Sequence, residues 1–202
     1  MTENTPLGNA ESPYARTKQI GEHIIRDIAQ AQIQLNFCIL RYFNPAGAHH
    51  SIKIGESARN IASNLVPVIT ETAIGKREGM QVFGDDYMTR DGTCIRDYIH
   101  VMDLARAHTL SVDYLIRGRA ASNVSIFNLG SGSGSTVLEV IQAFEKESGN
   151  ALNYKIVGRR AGDVEAVFAD YSLAQKELGW SPKYSLEDIM RTAWEWEQYR
   201  TT

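Results

Sequence analysis

The chain has 202 residues, of which 43% are hydrophobic and 22% are charged, a composition typical of an ordinary globular protein with one large core. Its formal net charge of -3 and its pI near 6.0 argue against nucleic acid or a membrane surface as a partner bound through charge. No segment is long and apolar enough to span a bilayer, and the polar, acidic first residues do not resemble a signal peptide.

The first predicted element is a helix from Pro13 to about Ala31. Ser12 is a typical N-cap, and proline is favoured at the first helical position. Tyr14 and Lys18 lie one turn apart on one face, where the lysine ammonium favours the tyrosine phenolate. Taken alone, Tyr-x-x-x-Lys is a common pattern, and a surface pair on an amphipathic helix is its more frequent explanation. A line of isoleucines at spacing four forms a second face, which we interpret as core or as the contact for a partner helix: Ile20, Ile24 and Ile28.

Further along, apolar runs and helical patterns alternate. The run 33–43 is a predicted buried strand, and it ends in the turn sequence NPAG. A helix is predicted over 60–76, a short strand over 80–84, a second helix up to about residue 117, and a second sheet strand over 125–130. Strands separated by helices, with nearly continuous apolar character, favour a parallel sheet covered on both faces.

The turn GSGSGS (130–135) follows a strand and precedes a helix, as a dinucleotide-binding fingerprint does. The match fails because Ser135 stands where the third glycine is needed, and because no acidic residue follows the next strand at 153–157. Thr136 and Glu139 instead predict a capping box. Two more helices are predicted, one over 172–180 that ends at Gly179 and one that begins near Ser185.

Cysteine and histidine usage gives two further expectations. The two cysteines, Cys38 and Cys94, do not make a disulfide framework, which favours a reducing cytoplasmic location. The five histidines show no metal-ligand spacing, so no metal site is expected.

Several motifs then occur in one order along nearly the whole chain. They are SPYARTK (12–18), LRYFNPAGAH (40–49), DGTCIRDYIHVMDLARA (91–107), FNLGSG (127–132), RRAGDVE (159–165) and LGWSP (178–182). Together they resemble UDP-glucose 4-epimerase, a member of the extended short-chain dehydrogenase/reductase superfamily. The resemblance implies an α/β fold: the later part of a Rossmann-type parallel sheet, interleaved with a small mixed α/β substrate-binding lobe. It assigns 1–50 and 95–135 to the NAD-binding domain, and 51–94 and 136–202 to the lobe that binds the UDP-sugar.

The resemblance also implies a mechanism. Tyr14 is expected to take the proton of the sugar 4-hydroxyl while hydride passes from C4 to bound NAD, and the 4-keto sugar then turns and takes the hydride back on its other face. Lys18 is expected to lower the pKa of Tyr14 and to bind the nicotinamide ribose. The main chain of Phe43 is expected to lie against the nicotinamide. The implied homodimer forms through the helix that carries Tyr14.

The nucleotide-sugar contacts implied by the resemblance come from the rest of the chain. Asn44 corresponds to a contact at the sugar–phosphate junction, and Asn64 to a diphosphate contact. Residues 81–83 correspond to a strand that holds uracil. The individual positions in and after that strand are Gln81, Val82 and Phe83 for uracil, Arg96 and Arg160 for the diphosphate, and Asp163 for the ribose. Val167 stands at a position that sets the size of the sugar pocket, and its small side chain predicts acceptance of UDP-GlcNAc and UDP-GalNAc.

The family also has a preceding half with a strand, a Gly-x-x-Gly-x-x-Gly turn, a helix and a catalytic Ser or Thr, for which this sequence has no counterpart. We therefore expect exposed apolar surface, unpaired strand edges, self-association, and weak or no NAD binding by this chain alone. Two alternatives stay open: another nucleotide-sugar epimerase or dehydratase of the superfamily, and a non-catalytic UDP-sugar-binding module or split-enzyme subunit.

Overall fold

A computed structural model describes residues 1–202 and shows a mixed α/β fold with six helices and nine short strands. The helices are α1 (Pro13–Ala31), α2 (Leu65–Ala73), α3 (Val101–Ile116), α4 (Val137–Ser148), α5 (Ser172–Leu178) and α6 (Leu186–Thr201). The strands are β1 (Phe37–Tyr42), β2 (Asn44–Ala46), β3 (Met80–Phe83), β4 (Ile95–Arg96), β5 (Tyr98–His100), β6 (Val124–Leu129), β7 (Ser135–Thr136), β8 (Tyr154–Val157) and β9 (Ala166–Val167). None of the helices is long and apolar enough to cross a membrane.

The strands pair mostly in parallel. Strand β1 lies beside β6 with Phe37 opposite Val124 and Tyr42 opposite Leu129, as expected for late strands of a Rossmann-type sheet. The pairs β2–β5 and β3–β8 are also parallel, and β4 lies between β7 and β9. Strand β1 has no strand on its other edge, which confirms the expected open edge.

The helix boundaries follow the capping residues of the sequence. Helix α1 begins where predicted, with the Ser12 hydroxyl accepting from the main-chain N–H of Ala15. The capping box of Thr136 and Glu139 is present at α4, so the structural interpretation of the glycine–serine turn is confirmed. Helix α2 is shorter than predicted, because the residues before Asn64 form an irregular loop rather than a first helical turn.

Two apolar cores stabilise the chain. One lies between α2, α4, α6 and β3, where the ring of Phe144 meets Trp194 edge to face at 5.5 Å. The other surrounds β6 and includes Phe127 and Trp180, both almost fully buried. Helix α5 packs on β6 in this second core, although the predicted division at residue 136 assigned it to the lobe.

The isoleucine line of α1 lies outside both cores. Ile20, Ile24 and Ile28 are 47%, 52% and 41% exposed, so the interpretation of this line as core of the chain is wrong. Helix α1 is held to β1 instead by a bidentate ion pair, in which Arg41 donates from Nε and Nη2 to the Glu22 carboxylate at 2.7 Å each. This hydrogen bond from Arg41 lowers the pKa of Glu22.

Buried polar residues of the segment RDYIHVMD join the two cores. The Asp97 carboxylate accepts from the main-chain N–H of Ser131 at 2.6 Å and of Ala169 at 2.9 Å, while its main-chain oxygen accepts from Asn44. Asp103 accepts from the main-chain N–H groups of Lys183 and Tyr184, at 2.8 and 3.0 Å. These two carboxylates therefore fix the ends of β6, β9 and the approach to α6.

Candidate functional site

A cavity of about 1110 Å³ lies between α1, the ends of β1 and β2, β3 and the loop after β8. Eleven of the twelve predicted site residues line it: Tyr14, Lys18, Phe43, Asn44, Asn64, Gln81, Val82, Phe83, Arg96, Arg160 and Asp163. Val167 does not line the cavity, but it is the register partner of Arg96 in the pairing of β9 with β4.

The first wall is the start of α1. The capped first turn holds Tyr14 with its side chain 71% exposed, and one turn later Lys18 places Nζ 5.1 Å from the centroid of the Tyr14 ring. The ammonium thus lies over the aromatic ring in a cation–π arrangement. The phenol of Tyr14 is accessible from the cavity and lies beside a cation, as a proton-transferring tyrosine requires.

The second wall is the end of β1 and the start of β2. The main-chain N–H of Phe43 donates to the carbonyl of Leu129 at 3.3 Å, which continues the parallel ladder to the end of the strand. Asn44 donates from Nδ2 to the main-chain oxygen of Asp97 at 2.8 Å. Because this bond uses one amide hydrogen, the carbonyl oxygen and the second hydrogen of Asn44 are available to a ligand.

The third wall carries two arginines around one carboxylate. Arg160 donates to Asp163 from Nη2 at 2.9 Å and from Nε at 3.2 Å, and Arg96 donates from Nη2 to the same carboxylate at 3.3 Å. The hydrogen bond to Asp163 raises the pKa of Arg160. Two guanidinium groups thus converge on one point of the cavity and suit a phosphate-bearing ligand.

The fourth wall is β3. This strand pairs with β8 on one edge and has no strand on the other. The ring of Phe83 lies 5.4 Å from the Arg160 guanidinium, so an aromatic face and a free strand edge occur together near the arginines. A planar base can stack on such a ring and bond to such an edge.

Sequence reasoning assigned no role to the other residues that line the cavity, and three of these carry titratable side chains beside the proposed ligand contacts: Glu56, Cys94 and Tyr98. The period-two pattern of extended chain could have found two of them, since Cys94 and Tyr98 flank Arg96 at spacing two. Burial raises the pKa of both groups, so both stay neutral near pH 7. Glu56 comes from an irregular loop, for which no periodic signal exists.

Comparisons with known proteins agree with this geometry. The sequence model of the GDP-mannose 4,6 dehydratase family matches residues 1–193. The chain belongs to this family. A UDP-glucose 4-epimerase of Erwinia amylovora is 47% identical over 195 residues, which are 96% of this chain and 57% of that protein. The chain therefore spans little more than half the length of this relative.

Solved structures of the family give the same result. The UDP-glucose 4-epimerase of Stenotrophomonas maltophila, with bound NAD and formylated UDP-arabinopyranose, superposes with a TM-score of 0.94 at 45% identity. The enzyme of Bifidobacterium longum, in complex with NAD+ and UDP, superposes with a TM-score of 0.92 at 42% identity. Each match covers 100% of this chain and 59% of the solved chain. The predicted resemblance to UDP-glucose 4-epimerase and the predicted α/β fold are confirmed.

The residues present fit one end of a dinucleotide. Tyr14 and Lys18 on the first wall and Phe43 on the second all line the cavity, where a nicotinamide ring is expected. The turn at 130–135 does not suit a pyrophosphate, because the Asp97 carboxylate already accepts from the N–H of Ser131 and the Ser131 hydroxyl accepts from the N–H of Gly134. No group of three or more His, Cys, Asp or Glu side chains is arranged to hold a metal ion.

Proposed function

We propose that this chain supplies the proton-transferring tyrosine and the UDP-sugar site of a UDP-glucose 4-epimerase, which interconverts UDP-glucose and UDP-galactose through a 4-keto intermediate. The observation that carries the proposal is that Tyr14 and Lys18 share one cavity with the converging pair Arg96 and Arg160. The family membership and the complexes of related enzymes with NAD and with UDP support it. The proposed cofactor is NAD.

In the proposed mechanism, Tyr14 removes a proton from the sugar 4-hydroxyl through its phenolic oxygen and later returns it. Lys18 places its ammonium over the ring of Tyr14 and contributes positive charge to this side of the cavity. NAD, when bound, supplies the acceptor for the hydride from C4. Phe43 and Lys18 are the residues of this chain that would hold its nicotinamide end.

The remaining residues orient the substrate. Arg96 and Arg160 neutralise the diphosphate, Asn64 donates to it, and Asp163 accepts from the ribose. Asn44 bonds at the junction of sugar and phosphate. Uracil binds along the free edge of β3, with its main-chain bonds and packing surface supplied by Gln81, Val82 and Phe83.

We further propose that the enzyme accepts N-acetylated sugars. Val167 is a short side chain that does not reach the cavity, while its register partner Arg96 does. A small residue at this position is compatible with an N-acetyl group at C2 of the sugar. We expect turnover of UDP-GalNAc as well as of UDP-galactose, and turnover of UDP-galactose alone would contradict this part of the proposal.

The proposed assembly is a homodimer in the cytoplasm. The exposed isoleucine line of α1 supports a helix-to-helix contact with a second copy. The two cysteines, which form no disulfide, support a reducing compartment. The two separate cores support a division into a dinucleotide-binding part and a UDP-sugar lobe, with α5 packed in the core of the first part.

The test of the proposed function is a coupled assay on the native protein that contains this sequence. We expect UDP-galactose to be converted to UDP-glucose, and the substitution Tyr14→Phe to lower kcat by about 10²- to 10⁴-fold with little change in KM. Tyr42→Phe is the matched control, because Tyr42 is also an exposed tyrosine of a cavity wall. An unchanged kcat in Tyr14→Phe would contradict the proposed role. Activity on UDP-glucuronate or on a 4,6-dehydratase substrate alone would identify another enzyme of the superfamily.

A further inference from the structure

The long loop between β2 and α2 is held to α6 by two hydrogen bonds, one near its start from Ala48 to Thr192 and one at Glu56. The indole Nε1 of Trp196 donates to the main-chain oxygen of Glu56 at 2.7 Å. Gly55 lies directly against the same indole, since a Cβ built at Gly55 would come within 2.4 Å of the Trp196 ring. The backbone at residues 55–56 is therefore held in place by a side chain of α6, although the loop has no regular secondary structure there.

From this fixed backbone the Glu56 side chain reaches the residue before α2. Asn64 is the N-cap residue of α2, but its side chain makes no capping hydrogen bond. Its Nδ2 donates instead to Glu56 Oε1 at 3.1 Å. Both side chains line the cavity.

The chemistry of this bond determines which end of the Asn64 amide faces which partner. A carboxylate accepts hydrogen bonds and has none to give, so it selects the NH₂ end of the amide and excludes the carbonyl end. One of the two hydrogens on Nδ2 is then bound to Glu56. The second is left for an acceptor in the cavity, such as a phosphate oxygen.

We propose that Glu56 is a positioning residue that orients the Asn64 amide as a donor to the diphosphate of a UDP-sugar, with Trp196 holding Glu56 in place. The inference rests on the proposed function, since it gives Glu56 a part in the same site. Glu56 does not contact the ligand in this proposal. Its negative charge is unfavourable near a diphosphate, and the orientation of Asn64 outweighs that cost.

The test is calorimetric titration of the full chain with UDP and, separately, with uridine, which lacks the diphosphate. We expect Glu56→Ala to weaken UDP binding about 5- to 10-fold and to leave uridine binding unchanged, because one charge-assisted hydrogen bond that orients a donor is lost. Glu56→Gln should stay within about twofold of the parent, since the glutamine carbonyl still accepts from Asn64. Glu78→Ala is the matched control, an exposed glutamate whose side chain lies outside the cavity.

A double-mutant cycle completes the test. Once Asn64 is replaced by alanine, adding Glu56→Ala should change UDP binding no further. Tighter UDP binding by Glu56→Ala, equal losses for UDP and uridine, or additive effects in the cycle would each overturn the inference. A folded parent chain that binds neither UDP nor uridine would overturn the proposed function itself, and the inference with it.

Discussion

Asp163 holds two arginines at the centre of the proposed diphosphate site. The carboxylate is 10% exposed and accepts from both Arg96 and Arg160, so the guanidinium groups are ordered before any ligand arrives. Pre-ordered charged donors bind more tightly than flexible ones, because less conformational entropy is lost on binding.

Arg96 provides the clearest residue-scale prediction. Replacing it by alanine should weaken UDP binding about 10- to 100-fold and leave uridine binding unchanged, because only the diphosphate loses a charged donor. Titration calorimetry with both ligands measures the difference. Arg117→Ala is the control, since Arg117 forms an exposed ion pair with Asp113 on α3 and is not part of the cavity. Equal losses for UDP and uridine would show that Arg96 acts on the fold rather than on the ligand.

Val167 allows a second prediction at the same scale. The substitution Val167→Trp adds a large ring beside Arg96, and it should lower kcat/KM for UDP-GalNAc at least tenfold while changing that for UDP-galactose by less than about threefold. The native protein is assayed with each sugar in turn. Val167→Ala, which adds no volume, should leave the ratio of the two activities near that of the parent. A tryptophan that suppresses both substrates equally would contradict the proposed role in selectivity.

At the scale of elements, the junction between β5 and α6 depends on a buried histidine. His100 is 1% exposed, stacks on Tyr184 at 4.3 Å and lies 3.1 Å through Nε2 from the Thr192 hydroxyl. Its Nδ1 accepts from the main-chain N–H of Met102, so the neutral ring carries its proton on Nε2 and donates it to Thr192. The neutral imidazole is therefore the form that this junction accommodates.

The stability of the chain should accordingly fall in mild acid. Burial lowers the pKa of His100, and Arg191 acts in the same direction, while Asp103 and Asp188 oppose it. The unfolded chain takes up the proton near pH 6.5 and the folded chain only below that, so the free energy of unfolding decreases as the pH falls through about 6.5.

Denaturant melts between pH 5 and pH 8 measure this dependence. Replacing His100 by glutamine should reduce the change in the free energy of unfolding near pH 6.5. His108→Gln is the control, because His108 is exposed on α3, and the pH dependence should stay as in the parent. A profile that is the same in the parent and in the His100 variant would contradict the assignment.

The end of β6 leaves no room for a side chain at Gly130. A Cβ at Gly130 would lie 2.1 Å from Asp97 Oδ2, and the carboxylate cannot move away without losing its bonds to Ser131 and Ala169. We expect Gly130→Ala to lower the free energy of unfolding by on the order of 2 kcal/mol or more. Gly158→Ala is the control, because nothing lies within 4 Å of a Cβ at that position. Chemical denaturation of both variants gives the comparison, and similar values for the two would refute the explanation.

For the whole molecule, the exposed face of α1 and the open edge of β1 are the main surfaces without a partner. Isoleucines that are 41–52% exposed along one helix line, beside a strand with one unpaired edge, favour association. We expect the 202-residue chain to form dimers or larger species in sedimentation experiments, and Ile24→Lys to shift the distribution toward monomer. Ile116→Lys is the control, because Ile116 is an exposed isoleucine at the end of α3 and lies outside the α1 line, and it should have no such effect. A monomeric parent chain at micromolar concentration would contradict this expectation.

The sequence predicts those parts of the molecule that follow local rules. The caps Ser12, Thr136 and Ser185 locate three helix starts, and strands β3 and β6 lie within one residue of their predicted ends. The two-residue strands β4, β7 and β9 could not be predicted, because tertiary pairing rather than local pattern defines them.

The burial of individual side chains also depends on tertiary contacts that the sequence pattern does not show. The exposure of the isoleucine line of α1 depends on which surfaces meet in space, and periodicity does not contain that information. The motif RDYIHVMD provides one cavity-lining arginine, whereas Asp97, His100 and Asp103 are used inside the fold. The site itself was found by family resemblance, since each of its arginines alone looks like a surface residue.

The hydrogen bonds of Asp97 couple substitutions in two segments of the proposed site during evolution. Through its main-chain oxygen it holds Asn44, and through its carboxylate it holds Ala169, two residues beyond Val167. One buried residue is thus bonded to two separate segments, the start of β2 and the chain just after β9. Substitutions in one segment will change the effect of substitutions in the other, so the order in which they accumulate matters.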